Sequence, residues 1–204
     1  MEKRRVCVLG DSISIHYSPF LEKIISSRFK YQQKCQVIEA LKDLDKPNGA
    51  NAGDSNMVLE YLRDEEKKGV CYDILLVNCG LHDIRVDRNT NQIQTEKEHY
   101  EENLKQICEV ALKMSQRMFW ITTTPVIDII HNRRSEGFLR YGKDVELYNN
   151  LAHKIMDNYQ IPIIDLFSFT SSLGNNIYYD HVHFTEEVRA LQAAFITGCL
   201  FSIG

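Results

Sequence analysis

The chain has 204 residues, 44% hydrophobic and 25% charged, with a formal net charge of -4. That length supports one large domain with a real core and does not force a second, so residues 1–204 read as a single domain. The acidic balance argues against a dedicated nucleic-acid binder, and no apolar run approaches the roughly 20 residues of a membrane span.

Six cysteines, at positions 7, 35, 71, 79, 108 and 199, make no CxxC pair. They read as buried, reduced thiols rather than as a zinc site or a disulfide framework. Reduced thiols, and a charged start (Met1-Glu2-Lys3-Arg4-Arg5) with no signal-peptide core behind it, predict a cytoplasmic protein.

In chain order, Val6-Cys7-Val8-Leu9 predicts a buried strand. Gly10-Asp11-Ser12 follows, then an amphipathic stretch with Leu21, Ile24, Ile25 and Phe29 at helical spacing. Gln36–Ala40 reads as a second strand, and a second helix starts near Ser55 with Val58, Tyr61 and Leu62 on its inner face. Asp73–Cys79, centred on Ile74-Leu75-Leu76-Val77, is the clearest buried strand. Tyr100, Leu104, Ile107, Ala111 and Met114 share one face of a third helix, and Met118–Thr122 is a fourth strand. Val145, Tyr148, Ala152, Ile155 and Tyr159 mark a fourth helix, and Ile161–Leu166 a fifth strand. Thr185 opens the last helix, with Glu186 and Glu187 in its first turn and Val188, Leu191 and Phe195 facing inward.

Apolar strands that alternate with helical crossovers predict a parallel sheet covered on both faces. Right-handed crossovers make it an α/β fold, a three-layer α/β/α sandwich around five parallel strands. Two long polar connections, Asp83–Thr95 and Pro125–Lys143, each follow a strand and belong on the rim that carries Ser12. Connections of that length in a compact domain are usually functional.

Ser12 stands at the carboxyl end of the first strand, beside the unpaired N–H groups and positive dipole end of a helix. Gly10 permits a tight turn and a close approach to backbone. Taken alone, Asp11 and Ser12 are a turn and a helix cap. The segment Tyr178-Tyr179-Asp180-His181-Val182-His183-Phe184-Thr185 reaches the same rim after the last strand. Asp180 and His183 are three residues apart, which lets the carboxylate take the Nδ1–H while Nε2 points at a nucleophile. His181 cannot face the same way as His183 in an extended segment. No further histidine and acid cluster completes a coordination shell for these two, so neither a metal nor a cofactor is expected.

Acyl transfer also needs donors for an oxyanion. The Ser12 N–H is one, and the Gly53 N–H, in the loop Asn48-Gly49-Ala50-Asn51-Ala52-Gly53-Asp54-Ser55, is a second. The third strand ends in Asn78-Cys79-Gly80-Leu81-His82-Asp83, which sets His82 and Asp83 at the mouth of the site.

Gly10-Asp11-Ser12, Gly53-Asp54-Ser55, Gly80-Leu81-His82-Asp83 and Asp180-His181-Val182-His183 occur in that order across nearly the whole chain. In this the chain resembles the SGNH hydrolases, also called GDSL esterases and lipases. Ile13 replaces the leucine of many members, and Asn48 stands five residues before Gly53 as in several esterases of the group. The resemblance implies a flavodoxin-like fold with Ser12 as nucleophile and Asp180 and His183 completing a triad. The third block departs: the family pattern is Gly-x-Asn-Asp, and His82 occupies the asparagine position. A neutral imidazole carries one N–H and is expected to donate to the oxyanion in place of the amide. A protonated His82 would make that donor charged and strengthen it at mildly acidic pH.

Asp128, His131, Asn132, Arg133, Arg134, Arg140 and Tyr141 lie in the second long connection, and Arg85 and Arg88 in the first. A basic, hydrogen-bonding rim on an acidic protein points to a polar or anionic substrate. Asp11, Asp83, Arg85, His131, Asn132 and Arg133 are the substrate-binding candidates, although Asp11 also reads as an organiser of the turn. Phe138 or Leu139 would line a short acyl pocket. The expected activity is hydrolysis of a small carboxylic ester, an O-acetyl group on a carbohydrate or similar polar molecule. A lysophospholipase, a thioesterase or a transacylase would use the same triad. A non-enzymatic nucleotide or flavin module would need a phosphate cradle, and neither GxGxxG nor GxxxxGK[ST] occurs.

Overall fold

The computed structural model describes residues 3–202. Strand β1 (Arg4–Leu9) leads into helix α1 (Ser12–Ile25), then β2 (Phe29–Gln33) and a single turn α2 (Val37–Ala40). Helix α3 (Ser55–Lys67), β3 (Tyr72–Val77), a short β4 (Val86–Asp87), α4 (Lys97–Met114) and β5 (Ser115–Ile121) follow. The remainder is α5 (Asp128–Arg134), β6 (Phe138–Leu139), α6 (Gly142–Asn158), β7 (Ile163–Ile164), α7 (Leu166–Ser172) and α8 (Glu186–Ser202).

The main sheet has the order β2-β1-β3-β5-β7, and every pairing in it is parallel. Helix α1 packs on α8, and α8 on α7, while α3 packs on α4 and α4 on α6. These two helical groups are the outer layers of an α/β/α sandwich, as the alternation of elements predicts. Val6, Leu9, Leu76, Val77, Phe119 and Trp120 are among the strand residues sealed between them. Each such side chain contributes about 1.5–3 kcal/mol by leaving water.

The second strand is displaced from its predicted place. Gln36 adopts a left-handed φ of 67°, Val37–Ala40 winds into a helical turn, and Ile38 is exposed. The sheet edge is instead Phe29–Gln33, where Phe29 is buried and the polar residues lie along a strand paired on one side only. Phe29 therefore belongs to β2 rather than to α1, and Ile24 is exposed. On α8, Leu191 faces solvent and Gln192 is buried, with Nε2 donating to Thr170 Oγ1 at 3.1 Å. That bond engages the amide nitrogen while Oε1 has no partner among the described residues, so the inner face of α8 is less apolar than its sequence suggests. Cys7, Cys79 and Cys108 are buried, whereas Cys35 and Cys71 are exposed and Cys199 is intermediate; all six are free thiols. No helix among the described residues is long and apolar enough to cross a membrane.

The two long connections form one structure. Val86 pairs with Leu139 and Asp87 with Phe138 in a small antiparallel ribbon, and Arg88 Nη2 donates to Asn132 O at 2.9 Å. Asp83 anchors this region from inside. Its carboxylate accepts the Ser55 N–H at 3.0 Å and the Ser55 O–H at 2.5 Å, and its carbonyl accepts the Thr95 N–H at 3.0 Å. Asp83 is thus a buried clamp between the end of β3 and the start of α3, and it takes no place on the substrate-facing rim.

Burial pushes the Asp83 carboxyl up to about 6, against the pull of the Ser55 bonds. A carboxyl raised in the folded state adds stability below its unfolded value and loses that contribution as pH climbs through about 6. Asp83→Asn should remove this slope, so that urea melts show the variant gaining on wild type between about pH 4 and 6. Parallel pH profiles would contradict it. Asp83→Ala strands both Ser55 donors and should cost about 1–3 kcal/mol.

Candidate active site

Strand β1 ends in the sheet interior, and the chain turns at Gly10 directly into α1. Asp11 caps that helix: its Oδ1 accepts the Ile13 N–H at 2.9 Å and its carbonyl accepts the Ser14 O–H at 2.7 Å. The Asp11 carboxyl is buried, which raises its pKa, and it organises the turn rather than meeting substrate. Ser12 is the first helical residue, and its N–H has no acceptor among the described residues.

Residue 183 comes to Ser12 across the sequence. His183 Nε2 lies 2.8 Å from Ser12 Oγ, and His183 Nδ1 lies 2.7 Å from Asp180 Oδ2. The other Asp180 oxygen accepts the N–H groups of Val182 and His183 at 2.8 and 2.7 Å. Burial by itself would raise the Asp180 carboxyl. The His183 ring bond, its charge and the two backbone bonds outweigh that and hold it well below the usual carboxylate range. An ionised Asp180 accepts from Nδ1–H, which leaves Nε2 unprotonated and able to accept from the serine hydroxyl. Ser12 is 2% exposed and His183 1%, so the bond between them is screened from water, whereas the Asp180 side chain is 33% exposed.

His181 turns away from the serine. Its Nε2 meets Asp45 Oδ1 at 3.1 Å, a contact between residues far apart in the chain. Its ring also stands edge-on to His183, with centroids 5.8 Å apart, and to His131 at 4.9 Å.

His82 is 2% exposed, and no described residue hydrogen-bonds its ring. Burial, then the charges of Arg85, Arg140 and His183, push its pKa well below the ordinary histidine value. Its imidazole is held neutral, and the charged form that would strengthen the donor at mildly acidic pH is disfavoured at this position. Gly80 explains why the turn before it takes no other residue. Its φ is 146°, and a Cβ there would sit 2.3 Å from Thr123 Oγ1.

The Gly53 N–H donates to Asn51 Oδ1 at 3.1 Å. Asn51 is buried, and its amide also donates to Leu44 O and Lys46 O, so it holds the whole loop together. Ala52 N–H ties that loop to Gly10 O at 3.0 Å. The glycine at 53 is needed for packing as well as access: φ is 77°, and a Cβ would meet Met57 Sδ at 2.5 Å.

The basic rim is rearranged from its expected form. His131 is buried inside α5, and Arg140 Nη1 lies 3.0 Å from its Nε2. Arginine only donates, so the His131 proton is on Nδ1, which bonds Asn132 Oδ1 at 3.1 Å. Burial and the Arg140 charge lower the His131 pKa to about 3. The same Asn132 oxygen accepts the Arg140 N–H, so His131 and Asn132 support Arg140 from behind. Arg133 is exposed and makes no hydrogen bond or ion pair among the described residues; its neighbour Arg134 donates to Asp180 O at 2.9 Å. Arg85 is half buried and donates from Nη2 to Asp45 O. Nothing local in the sequence separates Arg140 from the other arginines of the rim, Asn51 from the rest of its loop, or His16 from the other polar residues of its helix. The His16 ring packs 5.0 Å from His183, and burial with the His183 charge lowers its pKa to about 3.

A family model described as GDSL-like Lipase/Acylhydrolase matches residues 6–196. No curated protein matches the chain. Solved structures do match. A lipase/acylhydrolase from Enterococcus faecalis superposes with a TM-score of 0.69 at 17% identity, over 97% of this chain and 95% of that one. The acetyl xylan esterase AlAXEase gives 0.69 at 13% identity, over 96% and 99%. Est24, a carbohydrate acetylesterase from Sinorhizobium meliloti, gives 0.66 at 11% identity, over 99% and 100%. At such identities the structures speak for a shared fold, and the family match speaks for descent. The chain belongs to the GDSL-like lipase/acylhydrolase family and is an ester hydrolase with the SGNH fold.

Proposed function

We propose that the protein hydrolyses a small carboxylic ester, an O-acetyl group on a carbohydrate or similarly polar alcohol, through an acyl-enzyme at Ser12. The observation that carries this reading is the unbroken chain from Ser12 Oγ through His183 to the ionised Asp180. Ser12 Oγ attacks the carbonyl carbon while His183 Nε2 takes its proton, and Asp180 stabilises the imidazolium that forms. The Ser12 N–H and the neutral His82 ring donate to the oxyanion. The Gly53 N–H is a third donor once it exchanges Asn51 Oδ1 for the oxyanion. His183 returns the proton to the departing alcohol, and water repeats the sequence on the acyl-enzyme. A nucleophile so little exposed favours a short acyl group over a long one. The likeness to AlAXEase, an acetyl xylan esterase, and to Est24, a carbohydrate acetylesterase, supports the same choice of substrate class.

Ser12→Ala should cut turnover of 4-nitrophenyl acetate by about 10⁴-fold or more with the circular dichroism unchanged. Retained turnover would remove Ser12 from the mechanism. Across 4-nitrophenyl esters the rate should fall with chain length; a rise toward octanoate would favour the lysophospholipase or thioesterase reading.

His82→Ala should lower kcat by about 10²–10³ with little change in KM. His82→Asn restores an amide donor and should stay within about tenfold of wild type. A His82→Ala enzyme as fast as wild type would mean that the ring takes no part in the hole.

A further inference from the structure

Arginine 140 is 1% exposed, yet no carboxylate is bonded to it. Of its five N–H donors, one goes to Leu81 O at 2.6 Å and one to His131 Nε2 at 3.0 Å. The remaining donors find no acceptor among the described residues. The acids that act on it through space are Asp45, Asp11 and Asp180, and each carboxylate is engaged elsewhere: on His181, on the Ile13 N–H and on His183.

A second cation shares its aromatic neighbour and acts on it through space. The Arg85 and Arg140 guanidinium carbons lie 4.2 and 4.6 Å from the centroid of one ring, that of Phe138. The Arg85 Nε is buried and has no partner. Burial and the neighbouring Arg85 charge lower the Arg140 pKa to about 9. Keeping two like charges together in a desolvated place is costly unless an anion completes them. The ring of Phe138 offsets part of that cost without occupying their N–H donors.

Both charges act on the neighbouring His82 ring. Arg140 grips the carbonyl of Leu81, the residue directly before His82. Arg85 and Phe138 also line a surface groove of about 540 Å³ with Thr90, Gln92 and Gln94. Asp87, the acid in that groove, is turned back on the N–H groups of Asn89 and Thr90 at 2.8 Å each.

We propose that Arg85 and Arg140 form an anion-recognition subsite that selects esters carrying a carboxylate close to the scissile bond. This rests on the ester-hydrolase reading above and names the substrate class within it. A planar carboxylate meets the guanidinium fork with two parallel bonds, which an ammonium or an amide cannot reproduce.

Matched esters test it on the full chain. 4-Nitrophenyl acetate against mono-4-nitrophenyl succinate places the charge on the acyl side. O-acetylated glucose against O-acetylated glucuronate places it on the alcohol side. In at least one pair kcat/KM should favour the anionic ester by roughly tenfold or more, mainly through KM, and the preference should shrink as salt is raised. Arg85→Gln should collapse that ratio, and Arg140→Lys, which keeps the charge but loses the fork, should lower it. Should Arg140→Lys fail to fold, Arg85→Gln decides, because Arg85 is only half buried. Ratios near one in both pairs, or a ratio untouched by Arg85→Gln, overturn the subsite while the hydrolase reading stands. No turnover of any ester would overturn the hydrolase reading and the subsite with it.

Discussion

Strands β1 and β3 run side by side, with Val6 opposite Ile74 and Leu9 opposite Val77, and the geometry of the site depends on that pairing. It ends in step: the Asn78 N–H bonds Leu9 O at 2.9 Å, so the turns carrying Ser12 and His82 start from the same level of the sheet. The helix after β1 goes to one layer and those on either side of β3 go to the other. That reversal of direction opens a crevice at the carboxyl ends, the usual ligand position in open α/β sheets. The 180–183 segment arrives there by a different constraint. It directly precedes α8, and α8 packs along α1, so a helix–helix contact sets the distance between His183 and Ser12.

Around that crevice the protein keeps an unusual number of polar groups away from water. Ser12, His82, Asp83, His131, Arg140 and His183 are all buried. Each desolvated group is costly unless bonded, and the structure bonds them unevenly. Asp83, His131 and Asp180 are well supplied with partners. The His82 ring has none among the described residues, and Arg140 has fewer than it can use. Asp83 and His131 hold the scaffold, whereas Asp180 orients His183. Asp83 shares a loop with His82, but its carboxylate is taken up by Ser55.

Much of the fold is legible in the sequence because its signals are local. Ile74-Leu75-Leu76-Val77 is apolar at every position, as a strand buried on both faces must be. Helix α4 repeats its inward residues at the helical period, and Asp54 caps α3 within three residues of its partner Met57 N–H. The edge strand hides for the opposite reason: β2 is paired on one side and carries Lys30, Gln32 and Gln33, so no apolar run announces it. Asp180 and His183 can be read together because three residues separate them. Arg140 and His131 cannot, since only the fold of the second connection shows that Arg140, rather than the exposed Arg133, points inward. Gly53 is visible as a glycine, but its bond to Asn51 follows from a loop conformation with no pattern of its own.

In the function proposed here, Ser12 is the group activated by His183 and Asp180. Treatment with a fluorophosphonate, followed by digestion and mass spectrometry, tests it without choosing a substrate. A single phosphonylated residue, Ser12, is expected, with labelling lost in His183→Ala because the hydroxyl needs its base. Labelling of any other residue, or undiminished labelling of Ser12 in His183→Ala, would contradict it.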